Sequence, residues 1–217
     1  MQISEEHLKI LDIIVKIGMD NASRSFSKTI KHAALIELVR TELVDISEIT
    51  EEMNNDFREM VASMLRLEGS LNGKLMFMIP LDGALTLQDF YLGETPGTSK
   101  EFDEITEGTV QEIGNILASA IGNSFASGLG STLLPTPPQV LCDFAGTIFT
   151  QLIFEDGIDN DKILLTETKF KLHNTEIDCY FFLLPDIKTL EESLNKYEKL
   201  DNPDSSNSFR IDTEKAI

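Results

Sequence analysis

The chain has 217 residues, 41% of them apolar and 25% charged, which suits one large soluble domain or two small ones with a real core. A formal net charge of -19 leaves no basic stripe for nucleic acid and no polybasic patch for a membrane surface. The longest apolar runs, MFMIPL and CYFFLLP, are too short to span a bilayer, and the acidic start MQISEEHLKIL is not a secretory signal, so a cytoplasmic protein is expected.

An opening helix is predicted from about Ser4 to Thr29. Ser4 can cap it, Glu5 and Glu6 suit its first turn, and Leu8, Leu11, Ile14, Val15 and Ile17 form its apolar stripe. Leu35 to Val44 is mixed in character, and the acidic segment Asp45 to Asp56 predicts a second helix. The runs VASMLRLEG and KLMFMIP then read as a hairpin turning at Asn72-Gly73, where both residues tolerate positive φ. LDGALTLQDFYLG is a short helix or loop, and GETPGTSKEFDE (93–104) is a polar connector.

The pattern then returns. A helix is predicted from about Thr106 to Gly128, followed by the turn PTPP (135–138). VLCDFAGTIFTQLIF reads as a second helix or a buried segment. LLTETKFKL and EIDCYFFLLP form a second hairpin around His173 to Thr175. DIKTLEESLNKYEKL closes the fold with Ile187, Leu190, Leu194 and Tyr197 on one face, and residues 201–217 have the composition of a disordered tail.

Three local matches fall in the same order at nearly one offset: SFS (25–27) with SFA (124–126), DISEI (45–49) with DFAGTI (143–148), and KLMFMIP with CYFFLLP. A duplication is the economical explanation. The expected fold is α/β in the α+β sense: two helix-hairpin-helix units, about 5–93 and 104–200, related by a pseudo-two-fold and sharing one antiparallel sheet with helices packed on it. The expectation is one domain over 1–200. Such a pseudo-dimer within one chain favours a monomer.

Little conventional chemistry is on offer. Cys142 and Cys179 lie in apolar runs and are expected to be a buried, reduced thiol pair. There is no CxxC, and His7, His32 and His173 share no metal spacing. No GxSxG, P-loop or GxGxxG occurs in a supporting context. Met53, Met60, Met64, Met76 and Met78 read as core filler. So do Phe149, Phe154, Phe181 and Phe182, which no basic residues interleave.

The exception is TVQEIGNILASAIGNSF (109–125). At 100° per residue, Val110, Ile113, Leu117, Ala120 and Ile121 fall on one side. Glu112, Asn115, Ser119 and Asn123 fall on the other, with Gly108, Ala118 and Gly122 beside them. Glu112 and Asn115, at i and i+3, are neighbours on a face that lacks the usual long Lys and Glu side chains. Such a face lets a partner protein come close.

Glu112-x-x-Asn115, followed by Pro138 and set in EIGNILASAIGNSFASGLG and LLPTPPQVLCD, resembles the signature of the CheC/CheX/FliY family of chemotaxis phosphatases, and the chain is CheC-like in length. The resemblance covers about residues 5–200. It implies that this chain removes the phosphoryl group from the phosphoaspartate of a CheY-type response regulator. Asn115 would orient the attacking water, Glu112 would pair with the regulator's lysine, and Pro138 would serve structure. This chain would bind no cofactor, and Mg²⁺ would come with the partner. The family often has Ser or Asp four residues before the Glu; here Gly108 stands there. CheC-type proteins usually carry one such site per repeat. The first-repeat counterparts here are Ile13 and Lys16, within KIGMDNA, so that site is expected to be dead. A non-catalytic adaptor binding the receptor deamidase CheD is the alternative. A FliY-like switch role is disfavoured because only a short acidic tail follows Tyr197.

Overall fold

A computed structural model describes residues 4–154, 161–172 and 174–201, with side chains placed through residue 196. The element order is α1 (Glu5–Ile30), β1 (Ala34–Asp45), α2 (Ile46–Asn55), β2 (Glu59–Gly69), β3 (Gly73–Pro80), α3 (Leu81–Leu92), α4 (Glu104–Leu129), β4 (Leu133–Pro135), β5 (Gln139–Phe144), α5 (Ala145–Phe154), β6 (Lys162–Leu172), β7 (Thr175–Pro185) and α6 (Ile187–Asp201). His173 and the tail beyond Asp201, two features of the sequence reading, lie outside the described residues.

The duplication is visible in the element boundaries. α1 and α4 each have 26 residues and start and end 99 positions apart, at 5 and 104 and at 30 and 129. Ser4 and Asp103 both cap with side-chain oxygens, and Lys31 (φ 56°) and Gly130 (φ 62°) both end the helix in the left-handed region. α2 and α5 keep the same offset. So does β1, whose counterpart 133–144 is split into β4 and β5.

The strands form one antiparallel sheet in the order β1-β6-β7-β3-β2-β4, with β5 extending the β4 edge along β2. β3 pairs β7 at the centre, Phe77 opposite Phe181. Each repeat lends its first strand to the other: β1 pairs β6, and β4 and β5 pair β2. The registers obey the same symmetry. Ala34 opposes Leu172 on one edge, and Leu133 opposes Gly69 on the other. Both edges are irregular at matching places. β1 shifts register between Leu38 and Arg40, and its counterpart breaks at Thr136-Pro137-Pro138. Proline cannot donate to a ladder, so the break falls on the edge strand that tolerates it.

Alternation along the central strands builds two cores. Val61, Leu65, Leu67, Leu75, Phe77 and Ile79 face the layer of α1, α3, α4 and α6. Met60, Ala62, Met64, Met76 and Met78 face α2 and α5. Because both faces are covered, β2 and β3 read as continuous apolar runs. All five methionines expected in the core, with Phe149 and Phe182, fill this second, thinner layer.

Several expectations are corrected. Leu35 to Val44 belongs to strand β1, not an undecided segment. VLCDFAGTIFTQLIF is not one helix but a strand that passes directly into α5. Phe154 is 78% exposed rather than core. Cys142 is exposed on an edge strand while Cys179 is buried, so the thiols are not a buried pair. At the first hairpin the positive φ falls on Gly69 (139°), whose backbone N–H donates to Asn72 Oδ1, rather than on Asn72-Gly73.

Candidate functional site

The longest helices, α1 and α4, lie side by side on one face of the sheet. At Gly18 an added Cβ would meet Ile121 Cδ1 at 2.5 Å and Ser124 Oγ at 3.3 Å, so this glycine lets the two helices approach closely. The groove between them holds Asn21, Arg24, Ser25 and Lys28 from α1 against Glu112, Asn115, Ile116, Ser119, Ala120 and Asn123 from α4. With Gly18 beside Ile121 and Lys28 in the same groove as Glu112, the helices run in opposite directions. The groove is open, with a volume of about 470 Å³.

The inward stripe of α4 is buried as its periodicity predicts: Val110, Ile113, Leu117 and Ile121 are at most 1% exposed. That anchoring leaves Glu112, Asn115, Ser119 and Asn123 exposed, one turn after another, along the groove. Two residues expected beside them are elsewhere: Ala118 and Gly122 are buried, and a Cβ on Gly122 would lie 2.8 Å from the Leu133 carbonyl. Gly108 is exposed with open space around it. The face is therefore not a flat plain of small residues but one wall of a polar cleft.

The helix that carries the pair is fixed at several points. Asp103 accepts hydrogen bonds from Ile105 N (3.0 Å) and Thr106 N (2.8 Å) and completes a capping box with Thr106. The Thr106 hydroxyl donates to Gln88 Oε1 on α3. Gln111, next to Glu112, donates through Nε2 to the carbonyl of buried Pro138 at 3.2 Å. The edge-strand break thus docks onto α4 beside the exposed acid, and that is where the structure places the third residue of the sequence signature.

The first-repeat counterparts sit on α1 as the offset requires. Ile13 is half-buried and Lys16 is exposed, and neither lines the groove. The sequence reading missed the α1 wall, Asn21, Arg24, Ser25 and Lys28. Their spacing of three and four residues marks one helix face, but nothing local says which part of the chain that face meets. Arg24 Nη2 donates to Asn21 Oδ1, which steadies the guanidinium along the wall. Among the described residues no three His, Cys, Asp or Glu side chains come together as a metal cluster, and no helix is long and apolar enough to cross a membrane.

No family model matches the chain. Over 194 residues it is 22% identical to the CheY-P phosphatase CheC of Bacillus subtilis, a match that spans 88% of this chain and 93% of that protein. Its structure is similar to that of FliY from Thermotoga maritima, with a TM-score of 0.76 at 17% identity over 92% of this chain and 99% of the other. It is also similar to the FliM middle domain from H. pylori, with a TM-score of 0.66 at 13% identity over 89% and 99%. In sequence and in fold the chain resembles the CheC/CheX/FliY family.

Proposed function

We infer that this chain dephosphorylates the phosphoaspartate of a CheY-type response regulator, using Asn115 and Glu112 at the α1–α4 groove. One observation carries the reading. The only Glu-x-x-Asn pair on the two facing long helices is exposed, rigidly mounted and set in an open cleft, in a chain that is similar in sequence to a CheY-P phosphatase.

The chemistry is hydrolysis of an acyl phosphate. A water oxygen forms a bond to phosphorus as the bond to the aspartyl oxygen breaks. The electron pair leaves with the carboxylate, the water's proton goes to solvent, and inorganic phosphate is released. Such transfers depend on in-line positioning and charge neutralisation more than on covalent help. Mg²⁺, bound by the regulator, neutralises the phosphoryl oxygens. The Asn115 carboxamide can accept from and donate to the same water, with no titration to limit it, and so holds that water in line. Glu112, one turn away, pairs with a cationic side chain of the regulator and fixes the docking angle.

The test is phosphate release from a regulator phosphorylated with acetyl phosphate, in the presence of Mg²⁺. Asn115→Ala should lower kcat on the order of 10²-fold or more, because a positioned water is lost. Glu112→Ala should weaken docking. Equal turnover by wild type and both variants refutes the assignment. The absence of a carboxylate and carboxamide at Ile13 and Lys16 favours a second reading, a binding-only adaptor for a deamidase such as CheD. That reading requires partner binding that survives Asn115→Ala and a wild type that does not turn over.

A further inference from the structure

The groove carries a charge that the rest of the chain does not prepare for. The protein has 37 acidic against 18 basic side chains, yet the lining of this cleft contains two cations, Arg24 and Lys28, and one anion, Glu112. Both cations are exposed, and they stand one turn apart on the wall that faces Asn115. Arg24 is oriented by Asn21, a residue of the same wall.

The arrangement is also asymmetric. Counted 99 positions on, the α4 counterparts of Asn21, Arg24, Ser25 and Lys28 are Ala120, Asn123, Ser124 and Ser127. The wall that would face Ile13 and Lys16 therefore has no cation of its own. Cations on one helix face the Glu/Asn pair on the other; at the opposite end of the helix pair α1 presents no Glu/Asn pair and the α4 wall presents no cation.

We propose that Arg24 and Lys28 are docking residues: they engage the acidic, phosphoaspartate-bearing surface of the partner, so that the first repeat supplies the attraction and the second repeat the chemistry. This rests on the phosphatase reading above and adds the electrostatic half of recognition. A strongly anionic protein must bring a partner's phosphorylated, carboxylate-rich pocket against its own surface, and like charge opposes that approach. A local cationic wall reverses the sign of the field where the contact is made. Complementarity of this kind raises the association rate and sets register more than it changes the chemical step. Exposed charges act through water, so the effect must fade as salt is added.

The experiment is steady-state dephosphorylation of an acetyl-phosphate-charged, Mg²⁺-loaded CheY-type regulator at low and at physiological ionic strength. Arg24→Gln/Lys28→Gln should raise KM on the order of tenfold at low salt, leave kcat within about twofold, and flatten the salt dependence. Lys9→Gln/Lys196→Gln removes two exposed cations outside the groove and should behave as wild type, which controls for net charge. Circular dichroism and melting checks that each variant is folded, and single Arg24→Lys, which keeps the charge, should recover most of the KM. An active wild type with unchanged KM and salt slope in the double variant overturns the docking role and leaves the phosphatase reading standing. A matching rise in KM in the control pair also overturns it, because net charge alone would then explain the effect. A wild type that does not turn over brings down the phosphatase reading and this inference together.

Discussion

Gly114 of α4 lies against Ser63 of β2 so closely that a Cβ at position 114 would stand 2.0 Å from Ser63 Oγ and 2.6 Å from its Cβ. The glycine is the residue just before Asn115, on the buried side of the helix. It therefore sets how near α4 sits to the sheet and how the exposed pair is presented to the groove. Gly114→Ala should destabilise the fold by roughly 1–3 kcal/mol, the usual penalty of overpacking a full core. For a protein of this size that means a loss of about 2–4 °C in Tm per kcal/mol. Turnover should fall as well, because α4 is pushed outward. Combining Gly114→Ala with Ser63→Gly removes the clashing atoms and should recover part of both losses in a double-mutant cycle. Purely additive losses would show that the contact does not set the helix position.

Asp89, at the end of α3, is fully buried and holds the connector between the repeats. Its carboxylate accepts from the backbone N–H groups of Gly97 (2.6 Å), Thr98 (3.0 Å) and Ser99 (2.9 Å) and from Ser99 Oγ (2.6 Å). Burial by itself pushes its pKa up, but the hydrogen bonds from Ser99, Gly97 and Thr98 outweigh that and hold it below the ordinary carboxylate value. A depressed folded-state pKa contributes stability above the unfolded value of about 3.9 and loses it as pH falls through the folded one. Asp89→Asn should therefore cost about 1–3 kcal/mol near neutrality. The gap to wild type should narrow as the solution is acidified below about pH 4. Denaturant melts at several pH values read this directly, and a gap that stays constant to low pH would show that the charge is not what matters.

The two thiols should separate cleanly by reactivity. Partial desolvation on the edge strand, reinforced by the charges of Glu59 and Asp143, pushes the Cys142 thiol above its ordinary value, although the residue is exposed. Burial pushes Cys179 up to about 12. Since the thiolate is the reactive form, a disulfide reagent should label one thiol per native chain, at a rate that climbs with pH, and two in denaturant. Mass mapping should place the native label on Cys142. Labelling of Cys179 in the folded protein would mean that the β6–β7 layer opens.

Much of this architecture was legible locally. Ser4 as a cap, the apolar stripes of α1 and α4 and both hairpins rest on signals within a few residues of each other, and the echo of SFS in SFA needs only a comparison of two short stretches 99 residues apart. The edge strands were not. Ala34–Asp45 presents exposed Leu35 and Val39 beside charged neighbours, so no clean alternation marks it, and Gln139–Phe144 runs into α5 with no turn residue between them. The site divides in the same way. Glu112 and Asn115 are one turn apart and could be read from spacing. Arg24 and Lys28 reach them only through the packing of α1 on α4, which depends on Gly18 meeting Ile121 across the pseudo-dyad. No window of sequence contains that contact.

The asymmetry of the two repeats supplies the last prediction. Lys16 is exposed and Ile13 half-buried on α1, at the positions that correspond to Asn115 and Glu112. If turnover belongs to the α4 pair alone, Lys16→Ala should stay within about twofold of wild type, since no positioned water is lost. A harder test installs the missing groups. Ile13→Glu/Lys16→Asn, placed in an Asn115→Ala background, provides a carboxylate and a carboxamide where the first repeat lacks them. It should restore less than about a tenth of wild-type activity, because orientation without a complementary wall gains little and the facing side of α4 has no cation among its counterparts of Arg24 and Lys28. A tenfold loss in Lys16→Ala would show that α1 takes part in the chemistry itself. Full recovery in the rebuilt variant would show that the Glu/Asn pair suffices wherever the helix presents it, and that the cationic wall is dispensable.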